Sequence, residues 1–312
     1  MRTRRSAGSV AWILAGVLFL VLLLAIAWHF RRDEGSAGKL ASKATRVDLV
    51  ARLELDLVSA AEAEKSSVLA ITDEESERFA DQARAATAQL ESERQELGSL
   101  LATDQFARER DLFAQFTKAF GDLRRVDQEV LTLAVKNTNI KAYSLLFGPV
   151  ADAETEMDSA LARIGVRYAD STDGKKVMVL SDGARIGVLR IQALLAPHIA
   201  EASDAKMDQL EAVINQEEAQ VRSDLIGLAG LAKLAGDPDL ATAMARFDQF
   251  RELKARILPL SRENTNVRSL ALSLNEKRKA MIVCLDALAS LKQAIFEEPI
   301  VGVDYGRPQR PR

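Results

Sequence analysis

Apolar positions follow two rhythms along this chain. From Val10 to Trp28 nineteen uncharged, mostly apolar residues stand in an unbroken run. Beyond it, apolar residues recur at spacings of three and four, the period that puts them on one face of a helix. A nineteen-residue helix rises about 28 Å, close to a hydrocarbon core of roughly 30 Å. The run has aromatic Trp12 near one end, Trp28 and Phe30 at the other, and arginines on both flanks (Arg2, Arg4, Arg5; Arg31, Arg32). It predicts a membrane anchor. A cleaved signal peptide is the competing reading, because Ala25 and Ala27 have cleavage-site spacing.

The helical rhythm predicts the rest. Phe79, Ala83, Ala86, Leu90, Leu97 and Leu100 form one seam, interrupted by Glu93. Met207, Leu210, Ile214, Val221, Leu228 and Leu231 form another, interrupted by Glu217 and Asp224. Such acids are expected to rotate outwards, or, if buried, to meet an arginine from a facing helix. Thr72–Glu75, Thr103–Asp104, Ser203–Asp204 and Gly236-Asp-Pro-Asp239 mark helix ends. Gly148-Pro149 predicts a kink. The expected fold is all-α: an N-terminal transmembrane helix followed by two tandem antiparallel four-helix bundles. Its parts would be a basic tail (1–9), the anchor (10–30), a hinge (31–44), bundle 1 (45–168), a linker (169–184), bundle 2 (185–296) and a disordered tail (297–312). Within the linker, two Asp-Gly pairs flank Lys175–Leu180, which could fold back as a small hairpin.

The two halves are copies of one plan. Phe113-Ala-Gln-Phe116 matches Phe247-Asp-Gln-Phe250 at an offset of 134, which also aligns Leu97 with Leu231. Lys136-Asn-Thr-Asn-Ile-Lys141 matches Glu263-Asn-Thr-Asn-Val-Arg268 at an offset of 127. The difference is seven residues, one heptad, whose loss shortens a helix without turning its buried stripe.

Composition narrows the chemistry. A net charge of −3, with both signs interspersed, leaves no electrostatic footprint for nucleic acid. The single cysteine, Cys284, excludes an intrachain disulfide and any cysteine-cluster metal site. There are two histidines, His29 and His198, and no Glu-x-x-His spacing; P-loop, dinucleotide and nucleophile-elbow patterns are absent. No catalytic residue, metal or cofactor is expected, and the chain reads as a non-enzyme. The polar features that stand out are the two Asn-Thr-Asn triplets, whose side chains suit helix caps. Asn137, Asn139, Asn264 and Asn266, with Arg256, Arg262 and Arg268 around the second triplet, are the candidate residues for an anionic ligand.

Leu194-Leu-Ala-Pro-His-Ile199, Met207-Asp-Gln-Leu210, the Gly-Asp-Pro-Asp turn and Ile257-Leu-Pro-Leu-Ser261 resemble the four-helix-bundle sensory module of methyl-accepting chemotaxis receptors. Leu57–Ile164, with Val68-Leu-Ala-Ile-Thr-Asp73, is similar to it more weakly. The one apolar run predicts a single pass through the inner membrane, and the resemblance implies bundles outside the cytoplasm. It implies binding of a small solute or a partner receptor, as a homodimer, in signal transduction. The HAMP and signalling segments of that family are lacking, so a receptor or kinase partner would supply the output. The alternative is a scaffold that uses tethered helical bundles for protein–protein interaction.

Overall fold

The computed structural model describes the backbone of residues 7–102 and 104–299 and the side chains of 37–102, 105–231 and 233–299. Among them every regular element is helical: α1 (Ala7–Leu69), α2 (Asp73–Leu101), α3 (Ala107–Ala134), α4 (Thr138–Leu145), α5 (Ala151–Tyr168), α6 (Gly174–Ala200), α7 (Asp204–Ala229), α8 (Pro238–Glu263), α9 (Thr265–Leu272) and α10 (Arg278–Glu297). Five-residue π-helical turns, Leu146–Val150 and Ser273–Lys277, join α4 to α5 and α9 to α10.

Several expectations are corrected. Among the described residues no helix is long and apolar enough to cross a membrane. The N-terminal transmembrane helix and the single-pass inner-membrane location that rested on it are therefore not sustained. The run at 10–30 is no separate element but part of one 63-residue helix that goes on into charged sequence, and its side chains lie outside those described. The hinge at 31–44 is helical too, because its glycines are flanked by helix formers and no proline interrupts them. The hairpin is replaced by helix from Gly174 onwards, and only residues 169–173 connect α5 to α6. The first Asp-Gly pair, Asp173-Gly174, starts α6; the second lies inside it, where Gly183, like Gly187 one turn on, serves close packing. A Cβ on Gly187 would lie 2.4 Å from Val221 Cγ2, and one on Gly183 would lie 2.6 Å from Asp224 Oδ2. These glycines let α6 approach α7 closely. The basic tail at 1–6 and the segment 300–312 lie outside the described residues.

The chain forms two compact units, and neither is continuous in sequence. Among the described residues, unit 1 comprises 7–59, 86–102, 104–122 and 280–299; unit 2 comprises 60–85 and 123–279. Consecutive bundles split at 169–184 would have divided the chain otherwise. In unit 1 the first parts of α1 and α3, the second part of α2 and α10 are tied by cross-helix pairs. Arg46 pairs with Glu109, Glu54 with Lys292 at 2.6 Å, and Arg108 with Glu297 at 2.9 Å. Leu49, Leu53, Leu90, Leu97, Phe116, Leu288 and Leu291 are fully buried there.

In unit 2 the main core is built by α4–α8. Helix α5 packs between α6 and α8, and α7 packs on α6 and, over fewer residues, on α8. Met157, Leu161 and Ile164 of α5 meet Val188, Ile191 and Leu195 of α6 and Phe247, Phe250 and Ile257 of α8. Ion pairs frame that seam, including Arg185–Asp158 at 2.6 Å and Arg163–Asp239 at 2.7 Å. The fourth helix of the first repeat, α4–α5, thus packs with the first three helices of the second. In the second repeat α9 stays in unit 2, while the closing α10 belongs with the first parts of α1 and α3 and the second part of α2 in unit 1. The repeats have exchanged their last helices.

Candidate functional site

The exchange is fastened at the Asn-Thr-Asn triplets, within unit 2. Asn137 and Asn264 each adopt the left-handed conformation, φ 50° and 53°, the only non-glycine residues to do so among those described. Asparagine accepts this geometry more readily than most side chains because its short amide bonds locally. Each ends one helix and starts the next. The expected cap geometry is present, but the local cap bonds are not: neither asparagine side chain accepts from its own helix. Each helix start is capped by the other repeat instead. Thr138 N–H donates to Thr265 Oγ1 at 3.2 Å, and Thr265 N–H donates to Thr138 Oγ1 at 3.1 Å. Asn139 N–H donates to Asn266 Oδ1, and Asn266 N–H to Asn139 Oδ1, both at 3.2 Å. Asn139 Nδ2 reaches Asn264 Oδ1 at 2.8 Å; Asn266 Nδ2 reaches Asn137 Oδ1 at 3.0 Å. These bonds satisfy the first backbone donors of α4 and α9, which have no partner inside their own helices. Their pairwise reciprocity makes a pseudo-two-fold knot.

The knot also closes the end of α6. The last carbonyls of a helix lack intrahelical donors. Here Ala196 O accepts from Tyr143 Oη at 3.3 Å, His198 O from Ser261 Oγ at 2.9 Å, Ile199 O from Asn139 Nδ2 at 2.6 Å, and Glu201 O from Asn264 Nδ2 at 2.7 Å. Pro197 sits within this last turn.

Of the arginines proposed from sequence, Arg262 alone joins this region. Its guanidinium donates to Glu211 Oε1 at 2.8 Å and Asp208 Oδ1 at 2.5 Å, which pushes its pKa further up. Arg262 in turn, with His198, holds the Glu211 carboxyl below its usual range. Arg256 and Arg268 are exposed; Arg268 meets the knot only through its backbone N–H, which donates to Asn264 O at 3.0 Å. The seven candidates therefore do not converge on one ligand. Asn137, Asn139 and Asn264 are buried and spend their polar atoms within the fold: Asn137 on Asp73 and Asn266, Asn139 and Asn264 on each other, on Asn266 and on the Ile199 and Glu201 carbonyls.

Sequence reading missed the group beside the knot. His198 Nε2 lies 2.9 Å from Glu211 Oε1, and Nδ1 lies 2.7 Å from Ser261 Oγ. A carboxylate only accepts, so Nε2 carries a proton. The connection Ser261–His198–Glu211 has the order of a hydrolytic triad, but Ser261 and His198 expose no surface to a substrate. They couple α6, α7 and α8 instead. A second group missed from sequence is Lys277, buried with Glu64 and, at 2.6 Å, Asp127; Glu64 Oε1 has no hydrogen-bond partner. Residues so far apart in the chain give no spacing signal. Among the described residues no group of three or more His, Cys, Asp or Glu could hold a metal ion.

The seam acids also differ from expectation. Glu93 and Asp224 are buried, and Glu217 is half-buried beside Arg190 at 3.4 Å. Glu93 has the expected arginine, Arg52, at 3.8 Å, while Asp224 has only Gln220, at 2.9 Å. Burial pushes both carboxyls up.

No protein-family model, curated protein or solved structure matches this chain. Its function has to be argued from the geometry.

Proposed function

We propose that this chain is a non-enzymatic sensory module of the chemoreceptor type, acting in signal transduction by binding a small solute or a partner receptor. The observation that supports this most is the reciprocal knot. It ends α8, starts α9, starts α4 and closes α6 through a few directional bonds. A bound molecule that moves α8 along its axis would strain bonds on both repeats at once. Networks of this kind have few alternative arrangements, so a small displacement is read as a switch between states rather than absorbed. The π-helical turns begin eight residues beyond each triplet's threonine, Thr138 to Leu146 and Thr265 to Ser273. Such turns often mark helices that adjust in function. The output comes from a receptor or kinase partner.

The test is a thermal-shift screen of solute classes and candidate receptor partners, followed by amide hydrogen exchange. A ligand that binds the native state raises its stability. The expected result is a stabilising ligand that also changes exchange at Thr138, Asn139, Thr265 and Asn266. Loss of the reading would follow if no solute or partner stabilised the chain.

An exposed apolar stripe on α6, Val179, Ile186 and Leu189, favours the second reading, a scaffold docking other helices. In that case a helical partner would be retained by wild-type protein and lost with Ile186→Glu, with no small ligand found.

A further inference from the structure

The seam between α7 and α8 is the less extensive of the two that α7 makes, and it opens into a groove of about 210 Å³. Leu225 and Phe247 form its buried floor. Ile226 and Met244 form its walls and are 61% and 39% exposed. Arg222 and Arg251 stand at the groove, and both turn towards the same oxygen, Glu218 Oε1, at 3.6 Å and 2.7 Å. Lys254 takes the other oxygen of Glu218, and Asp248 accepts from Arg251 Nη1 at 3.2 Å. Three cations thus face two carboxylates, which leaves one positive charge uncompensated. Arg222 is half exposed and makes only the long contact to Glu218, so most of its five N–H donors are free.

We propose that this groove binds a small amphipathic monocarboxylate, its apolar tail covering Ile226 and Met244 and its carboxylate taken by Arg222 beside Arg251. The assignment rests on the sensory reading above and gives it a site and a ligand class. An apolar cleft with a few placed polar groups is the usual form of a small-molecule site. A planar guanidinium pairs with a carboxylate through two parallel bonds. One net charge suits a monoanion; Glu218 and Asp248 would repel a dianion. Occupancy would lie against α8 between Met244 and Arg251, about four to six turns before Asn264, so it would load the knot through the helix itself.

The experiment is isothermal titration of the full-length chain with hexanoate and octanoate, with octylamine and octan-1-ol as controls carrying the same tail. Saturable binding of octanoate, tighter than hexanoate and absent for octylamine, is expected. Arg222→Gln should weaken octanoate by about tenfold or more while leaving the circular dichroism spectrum and unfolding midpoint unchanged. Met244→Glu should abolish binding. The proposal is overturned if octanoate and octylamine bind alike, if no carboxylate binds, or if Arg222→Gln binds as wild type. Should another solute class stabilise the chain while carboxylates do not, this site falls and the sensory reading stands. Should nothing stabilise it, both fall.

Discussion

Asp224 shows how a single side chain can work against the fold that holds it. Its carboxyl is buried against Gly183 with Gln220 as its one partner, and burial raises its pKa. A carboxyl whose pKa is higher when folded binds protons more tightly in the native state. Its contribution is therefore most favourable at low pH and is lost as pH rises from the unfolded value through the folded one. Asp224→Asn should raise stability at pH 7 by up to about 1 kcal/mol, and the gain should vanish in acid. Urea unfolding at several pH values would check this. Cys284 is the complementary case. Burial, with Asp122 nearby, pushes its thiol up to about 12, so it should resist a thiol reagent until denaturant opens unit 1. A lone cysteine at an apolar helix position is most often a small core residue, so its burial was legible in the sequence. The burial of Glu93 and Asp224 was not, because a seam pattern does not say how far each helix rotates about its axis.

The helix ends carry the strongest local signals, and the structure reuses them non-locally. The triplets read as caps, and Asn137 and Asn264 do hold the left-handed turn, but their side chains serve the opposite repeat. Asn264→Ala should lose both the left-handed preference and two buried bonds, costing about 2–4 kcal/mol in equilibrium unfolding. Asn264→Gly should recover the backbone part only and fall between the two. Helix contact gives a second case. Gly187→Ala should cost about 1–3 kcal/mol, because the added methyl meets Val221, and the double variant with Val221→Ala should recover part of that loss. The kink at Gly148-Pro149 was readable because proline and glycine act on their own backbone. The matching π-helical turn, Ser-Leu-Asn-Glu-Lys at 273–277, carries neither residue and was readable only by its offset of 127 from Leu146–Val150.

Across the whole chain the exchange of last helices makes each repeat incomplete alone. Residues 1–168 contain α1–α3 without α10, and residues 174–312 contain α6–α8 without α4 and α5. Expressed separately, each fragment should expose apolar faces and lack a cooperative transition. Mixed or coexpressed, they should form a folded heterodimer, seen by circular dichroism and size-exclusion chromatography. Two fragments that each fold as stable monomers would contradict the exchange. Lys277 holds two acids buried with it in unit 2. Removing one partner of a buried pair leaves an uncompensated charge, so Lys277→Met should destabilise by about 3–5 kcal/mol.

The sequence alone established that the chain is helical, through its apolar periodicity, and where most helices end, through capping residues, because both are written within a few turns of backbone. Repeated motifs also showed one plan occurring twice. Which helix completes which unit was decided only in three dimensions. Apolar stripes of duplicated helices are interchangeable partners, since burial is nondirectional and rewards any complementary face. Directional bonds between the two triplets distinguish one pairing from another, and their partners lie 127 residues apart.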